Sequence, residues 1–290
     1  MTAAMPLRRY RIDGLDRFRR ALLRRVGLLM AAVILTATPA TLSKGDHVLE
    51  VDSRGQKIRA LLLKPENPVG SVILLAGGHG RLDLGADGRI GWGAGNQLVR
   101  TRAAYARAGY LTLVPDIAPD LKTATGVLDR YRYGAPHGRD IGALVQHLRG
   151  LKPPVALVAT SRGAVSAGAA LAHTSGLSRP DAVVLTAAML VSIGENAPHF
   201  RMAIGDDPRR ARLPLLVVGH RKDTCRFTHP STIERFKAWH GGKVDVVMLD
   251  GPAGTGDPCE AASAHGFIGI DDAVVTTVTR WIAMQNLPAR

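Results

Sequence analysis

A serine, an aspartate and a histidine follow one another along this chain, each just beyond an apolar run or in a late loop. Ser161 sits in Ala159-Thr160-Ser161-Arg162-Gly163, directly after Val155-Ala156-Leu157-Val158. Asp223 follows Leu213-Pro214-Leu215-Leu216-Val217-Val218-Gly219, and His265 lies within Ser263-Ala264-His265-Gly266-Phe267. A serine hydroxyl is a weak nucleophile at neutral pH. It attacks a carbonyl once a neighbouring imidazole takes its proton, and an acid must orient that imidazole. A serine at a sharp strand-to-helix turn is lifted clear of its sheet, an arrangement whose usual sequence is Gly-x-Ser-x-Gly. Ala159 stands at the first glycine position, where strand and helix pass closely and a methyl group is the mildest enlargement. Alone, the pentapeptide also fits a serine capping an ordinary helix. The acid and histidine downstream favour the triad Ser161, Asp223 and His265. Asp250 and Asp257 are alternative acids, and Asp223 is preferred because it directly follows a clear strand.

Acyl transfer also needs donors for the oxyanion that forms on the attacked carbonyl. One is the backbone N–H after the nucleophile, that of Arg162. The other is expected from Ala76-Gly77-Gly78-His79-Gly80, in which Gly78 and His79 are equal candidates. The guanidinium of Arg162, with those of Arg81 and Arg100, is suited to holding a carboxylate or phosphate on a substrate. His79, His137 and His220 are further residues that could line the site. Lys222, immediately before the acid, could perturb how Asp223 is hydrogen-bonded.

The elements that must position these groups alternate in type. Val48–Val51 and Ile58–Leu63 read as a hairpin around Ser53-Arg54-Gly55. Strands are expected at 71–75, 110–114, 155–158, 182–185, 213–219 and 244–249. Helical patterns cover 97–108, 137–148, 163–173, 231–239 and 271–284. Such alternation implies an α/β fold, a mostly parallel central sheet with helices on both faces. Active groups then lie beyond the carboxyl ends of the strands, which suits all three triad candidates. The stretch 187–212 has room for a short lid at most, so no large cap domain is expected.

The chain resembles an α/β-hydrolase from about Ser71 to its C-terminus. Within that superfamily it is similar to exported bacterial serine hydrolases and esterases of unassigned substrate. The subgroup likeness lies in Gly95-Asn96-Gln97-Leu98-Val99-Arg100, Thr160-Ser161-Arg162-Gly163 and Cys259-Glu260-Ala261-Ala262-Ser263-Ala264-His265-Gly266-Phe267. The resemblance supplies no substrate.

The first forty residues are of another kind. Met1–Arg25 is rich in arginine, Val26–Thr36 is apolar, and Thr38 and Ala40 suit cleavage before Thr41. This is the layout of a secretory signal peptide. Residues 1–40 are therefore expected to be removed, leaving 41–290 as a single catalytic domain in the periplasm or outside the cell. The apolar run is shorter than the roughly 20 residues of a spanning helix, so no stable membrane span is expected after removal. An uncleaved anchor is the second choice. Eight arginines against two aspartates in Met1–Arg25 account for +6 of the net +14, which leaves +8 on the remainder. That charge is scattered and aromatic residues make up 4% of the chain, so a nucleic-acid surface is not expected.

The two cysteines, Cys225 and Cys259, form an even pair, which in an exported protein favours a disulfide. It would tie the acid loop to the histidine loop. Neither belongs to a close-spaced ligand pair, so no metal is expected, nor any cofactor. The function expected is hydrolysis of a small carboxylic ester through an acyl-enzyme on Ser161. An amidase or peptidase with the same triad, or a non-catalytic binding protein on a hydrolase scaffold, are the alternatives.

Overall fold

The computed structural model describes residues 46–122, 129–194 and 197–288. The expected signal peptide, residues 1–40, lies outside the described residues.

Among the described residues eight strands form one sheet. They are β1 (Asp46–Ser53), β2 (Gln56–Leu63), β3 (Gly70–Leu75), β4 (Tyr110–Pro115), β5 (Val155–Thr160), β6 (Ala182–Thr186), β7 (Leu215–His220) and β8 (Asp245–Leu249). Their spatial order is β1-β2-β4-β3-β5-β6-β7-β8. β1 and β2 form a hairpin whose turn residues, Arg54 and Gly55, both have positive φ, the backbone that a tight two-residue turn requires. β2 runs antiparallel to β4, and every pairing from β4 to β8 is parallel. Crossover connections explain the composition of the middle strands. β3, β5, β6 and β7 are buried along their whole length and are predominantly apolar, with Ser71, Thr160, Thr186 and His220 at or near their ends, as a sheet covered on both faces demands.

Among the described residues six α-helices cover the sheet: α1 (Gln97–Arg107), α2 (Ala135–Leu151), α3 (Gly163–His173), α4 (Phe200–Ile204), α5 (Thr232–His240) and α6 (Asp271–Met284). On one face Leu144, Ala164, Ala167, Phe200 and Phe236 from α2–α5 pack with Leu157, Leu185 and Val217 of the sheet. On the other, Leu98, Tyr105, Val274 and Val278 from α1 and α6 pack against Val72, Val158 and Val184. The sequence-predicted strands and long helices are all present, their ends matching or shifted by at most three residues. Among the short elements that escape the periodicity are α4, within the stretch expected to hold only a short lid, and a 3-10 turn at Asp129–Tyr133. Each is too short to display a helical repeat.

Candidate active site

The strand β5 ends at Thr160, and the chain reverses into α3 through Ser161. Ser161 has a φ of 53°, a left-handed conformation that is costly for a residue with a side chain. Its backbone is held from both sides. The Ser161 N–H donates to the Thr186 carbonyl (3.1 Å), and the Ser161 carbonyl accepts from Met189 (3.2 Å). Helix α3 can start directly behind the serine because Gly163 carries no side chain. A Cβ there would lie 2.2 Å from the Leu75 carbonyl oxygen. Ala159 is fully buried with Ala164 and Ala167 of α3 in one core cluster, so its methyl group is accommodated where the usual pattern has glycine.

Asp223 follows β7 in a tight turn, and both its carboxylate oxygens are engaged. Oδ1 accepts from the Cys225 N–H (2.8 Å), and Oδ2 accepts from the Thr228 hydroxyl (2.9 Å). His265 sits in a 3-10 turn after β8, with Nδ1 3.3 Å from Asp223 Oδ2 and 2.9 Å from Thr228 Oγ1. Thr228 donates its single proton to Asp223, so its oxygen is left to accept from an Nδ1–H. That contact favours the tautomer with the proton on Nδ1 and the lone pair on Nε2. Asp223, Thr228 and His265 are all buried.

Ser161 and His265 border the same cavity, of about 350 Å³. Among the described residues no hydrogen bond joins the Ser161 hydroxyl to His265. Trp92, Met189 and Phe227 give the cavity its apolar surface, and Asn96, Gln97 and Arg162 its polar one. The disulfide between Cys225 and Cys259 is present, and both half-cystines border the cavity. It links the acid turn to the histidine loop, as expected from the sequence.

The loop after β3 is shaped by a residue that sequence reasoning missed. Arg132, buried in the 3-10 turn, donates through one terminal nitrogen to the carbonyls of Ala76 (3.0 Å), Gly77 (3.2 Å) and Gly78 (3.0 Å). Its other terminal nitrogen donates to Ser166 Oγ (2.6 Å). In a trans peptide the C=O and the following N–H point in opposite directions. Three carbonyls gathered on Arg132 therefore turn the N–H groups of Gly77, Gly78 and His79 away from it. The neighbouring Tyr131 hydroxyl donates to the His79 carbonyl. Gly78 borders the cavity. His79 instead stacks its ring on Trp92, with centroids 3.7 Å apart. Its imidazole is held below its ordinary pKa by burial and by Arg132 and Arg81.

Several sequence expectations need correction. Arg100 is not a substrate arginine: its guanidinium forms a two-point pair with Asp271 (both 2.9 Å). It also donates to the carbonyls of Gly95, Ala261 and Gly266. It therefore joins α1, the histidine loop and α6, leaving no donor for a ligand. Arg81 pairs with Asp83 at 2.7 Å on the surface and does not border the cavity, whereas Arg162 does. His79, His137 and His220 are likewise not among the residues around the cavity. His137 is bonded to Ser166 Oγ (2.9 Å) beneath the sheet end, and His220 accepts from the Lys222 N–H (3.0 Å). Lys222 does not disturb Asp223, because its ammonium donates to the Gly251 carbonyl (3.0 Å) and lies 3.7 Å from Asp250. Asp250 is exposed and among the described residues makes no hydrogen bond to His265, and Asp257 Oδ1 accepts from the Cys259 N–H. Neither replaces Asp223. Nothing in the sequence marks Arg132 or Thr228, whose bonds to the loop after β3 and to His265 reach across the chain, and Gln97 enters the sequence reading only as part of the Gly95–Arg100 motif.

No protein-family model and no curated protein matches this chain. Among solved structures it is similar to a dienelactone hydrolase from Anabaena variabilis, at a TM-score of 0.57 and 15% identity over 84% of this chain and 98% of that one. It is also similar to an alpha-beta serine hydrolase homologue from Coxiella burnetii, at a TM-score of 0.55 and 15% identity over 83% and 99% of the two chains. A third is a serine hydrolase without lid from Xanthomonas campestris, at a TM-score of 0.53 and 16% identity over 86% and 99%. At these identities the likeness is one of fold.

Proposed function

We propose that this chain, which has the α/β-hydrolase fold, is an exported serine hydrolase acting on small carboxylic esters. The observation that carries the proposal is the left-handed Ser161 sharing one cavity with a His265 whose far nitrogen is backed by Thr228 and Asp223. A strained serine at a strand end, opposite an imidazole of defined tautomer, is the arrangement nucleophilic acyl transfer needs.

In this reading Ser161 Oγ attacks the ester carbonyl while His265 Nε2 takes its proton. The oxyanion is met by the backbone N–H groups of Arg162 and Gly78. Of the two loop candidates, Gly78 is favoured by its place at the cavity and by the outward turn that Arg132 imposes on its peptide. Collapse breaks the ester C–O bond, and the alcohol leaves with the proton from His265. A water molecule then gives a proton to His265 and its oxygen to the acyl carbon; the bond from that carbon to Ser161 Oγ breaks, and His265 returns the proton to Oγ as the acid leaves. Asp223 and Thr228 hold the imidazole throughout and stabilise its charged form.

Export to the periplasm or medium fits the arginine-rich, apolar leader together with the Cys225–Cys259 disulfide. Among the described residues no helix is long and apolar enough to cross a membrane.

The test is a fluorophosphonate probe applied to the purified protein, with the adduct located by peptide mass spectrometry. Labelling confined to Ser161, and lost in Ser161→Ala and His265→Ala variants that keep their circular dichroism, is the expected result. A well-folded wild-type protein that takes up no probe would overturn the proposal.

A further inference from the structure

Gln97 is the first residue of α1 and borders the same cavity as Ser161. It is 1% exposed, and neither its Oε1 nor its Nε2 has a hydrogen-bond partner among the described residues. Buried side-chain amides are almost always bonded, and each unmet polar atom costs roughly 1–3 kcal/mol. Methionine or leucine would occupy a similar volume without that cost. The amide is thus the most expensive feature of this wall and calls for a partner.

Gln97 does not stand on a loose segment. Asn96 caps α1, its Oδ1 accepting from the Leu98 N–H at 3.2 Å. Three residues on, Arg100 ties the helix to Asp271 and to the carbonyls of Ala261 and Gly266 in the histidine loop. The same wall approaches the nucleophile, since the face of Gly77 that a Cβ would fill lies 3.0 Å from Ser161 Cβ and 3.3 Å from Asn96 Nδ2. The backbone that carries Gln97 is therefore fixed relative to both Ser161 and His265.

We infer that Gln97 is the specificity-determining residue of the cavity, its carboxamide receiving a neutral hydroxyl or carboxamide of the substrate close to the scissile ester. This rests on the hydrolase reading given above. The chemical class follows from what a glutamine lacks here, one donor for Oε1 and acceptors for Nε2. A carboxylate serves only the nitrogen, and an ammonium only the oxygen. Either would also surrender hydration on meeting a buried amide. A plain hydrocarbon serves neither atom. A hydroxyl or a carboxamide both donates and accepts, so one such group meets both needs.

The experiment compares matched esters by proton release at constant pH. Methyl 3-hydroxybutanoate and methyl N-acetylglycinate are set against methyl butanoate, and 2-hydroxyethyl butanoate against propyl butanoate, for wild type, Gln97→Met and Gln97→Leu. The expected result is a wild-type preference in kcat/KM of about ten- to a hundredfold for at least one polar ester over its plain partner. Both variants then bring that ratio close to one, with melting temperatures no lower than wild type. A structural role for Gln97 would depress both members of each pair alike and leave the ratio unchanged, which overturns the inference. So does a wild type that hydrolyses the plain and polar esters equally well. A wild type that hydrolyses none of them and takes no fluorophosphonate overturns the hydrolase reading, and this inference with it.

Discussion

The Thr228 hydroxyl lies 2.9 Å from His265 Nδ1, closer than the 3.3 Å that separates that nitrogen from the Asp223 carboxylate. The threonine also donates to Asp223 Oδ2 at 2.9 Å, so acid and imidazole are joined both directly and through one intervening hydroxyl. Thr228→Val should keep the packing and lose both bonds. The expectation is a fall in kcat of about tenfold, the scale of one to two lost hydrogen bonds, with KM nearly unchanged and Thr228→Ser restoring most of the loss. Equal kcat for Thr228→Val and wild type would show that the direct contact with Asp223 is sufficient.

Arg132 should act on turnover through the loop it shapes. Loss of one oxyanion donor typically costs 100–1000-fold in rate, and a misaligned donor costs less. Arg132→Lys removes the fork that gathers the carbonyls of Ala76, Gly77 and Gly78 while retaining a cation. We expect kcat to fall about 10–100-fold with little change in KM, and fluorophosphonate labelling of Ser161 to slow in parallel. A variant whose KM rises while kcat holds would place Arg132 in ground-state binding instead.

The disulfide spans 34 residues of sequence and joins two loops that border the cavity. In the chain-entropy account, closing such a loop stabilises the fold by roughly 3–4 kcal/mol. The Cys225→Ser/Cys259→Ser double variant should melt at a lower temperature, and its kcat should fall with it. Unchanged melting would mean that the reduced chain is already held in the same shape by its other contacts.

Acid should weaken the fold through His137. Burial, reinforced by Arg132 and Arg54, pushes its imidazole down to about 3, whereas an unfolded histidine titrates near 6.5. Between those values the unfolded chain carries a proton that the native one refuses, so stability drops as pH falls, by up to about 1.4 kcal/mol per pH unit. His199, lowered by burial to about 4, has the same sign. Urea unfolding at pH 7, 6 and 5 should show a steeper loss for wild type than for His137→Gln. Parallel losses in the two proteins would assign the acid sensitivity to other groups.

Much of the architecture was legible in the chain because it is written in short-range pattern. Buried parallel strands are near-continuously apolar, as β3, β5, β6 and β7 are. A serine turned sharply into a helix of small residues needs Gly163 behind it. The chain order of Ser161, Asp223 and His265, and the pairing of the two cysteines, needed no knowledge of contacts. What tertiary structure alone decided is where the long polar side chains end. Arg100 reads as a substrate arginine until Asp271, 171 residues away, takes its guanidinium. Arg132 belongs to a turn too short to announce itself, yet it shapes a loop more than fifty residues earlier. Gln97 looks like any helix-starting glutamine until packing removes it from water and leaves it unpartnered in the wall of the cavity that Ser161 borders. Apolar burial follows the local repeat of the sequence, but a hydrogen bond depends on which groups three-dimensional packing brings within about 3 Å of each other.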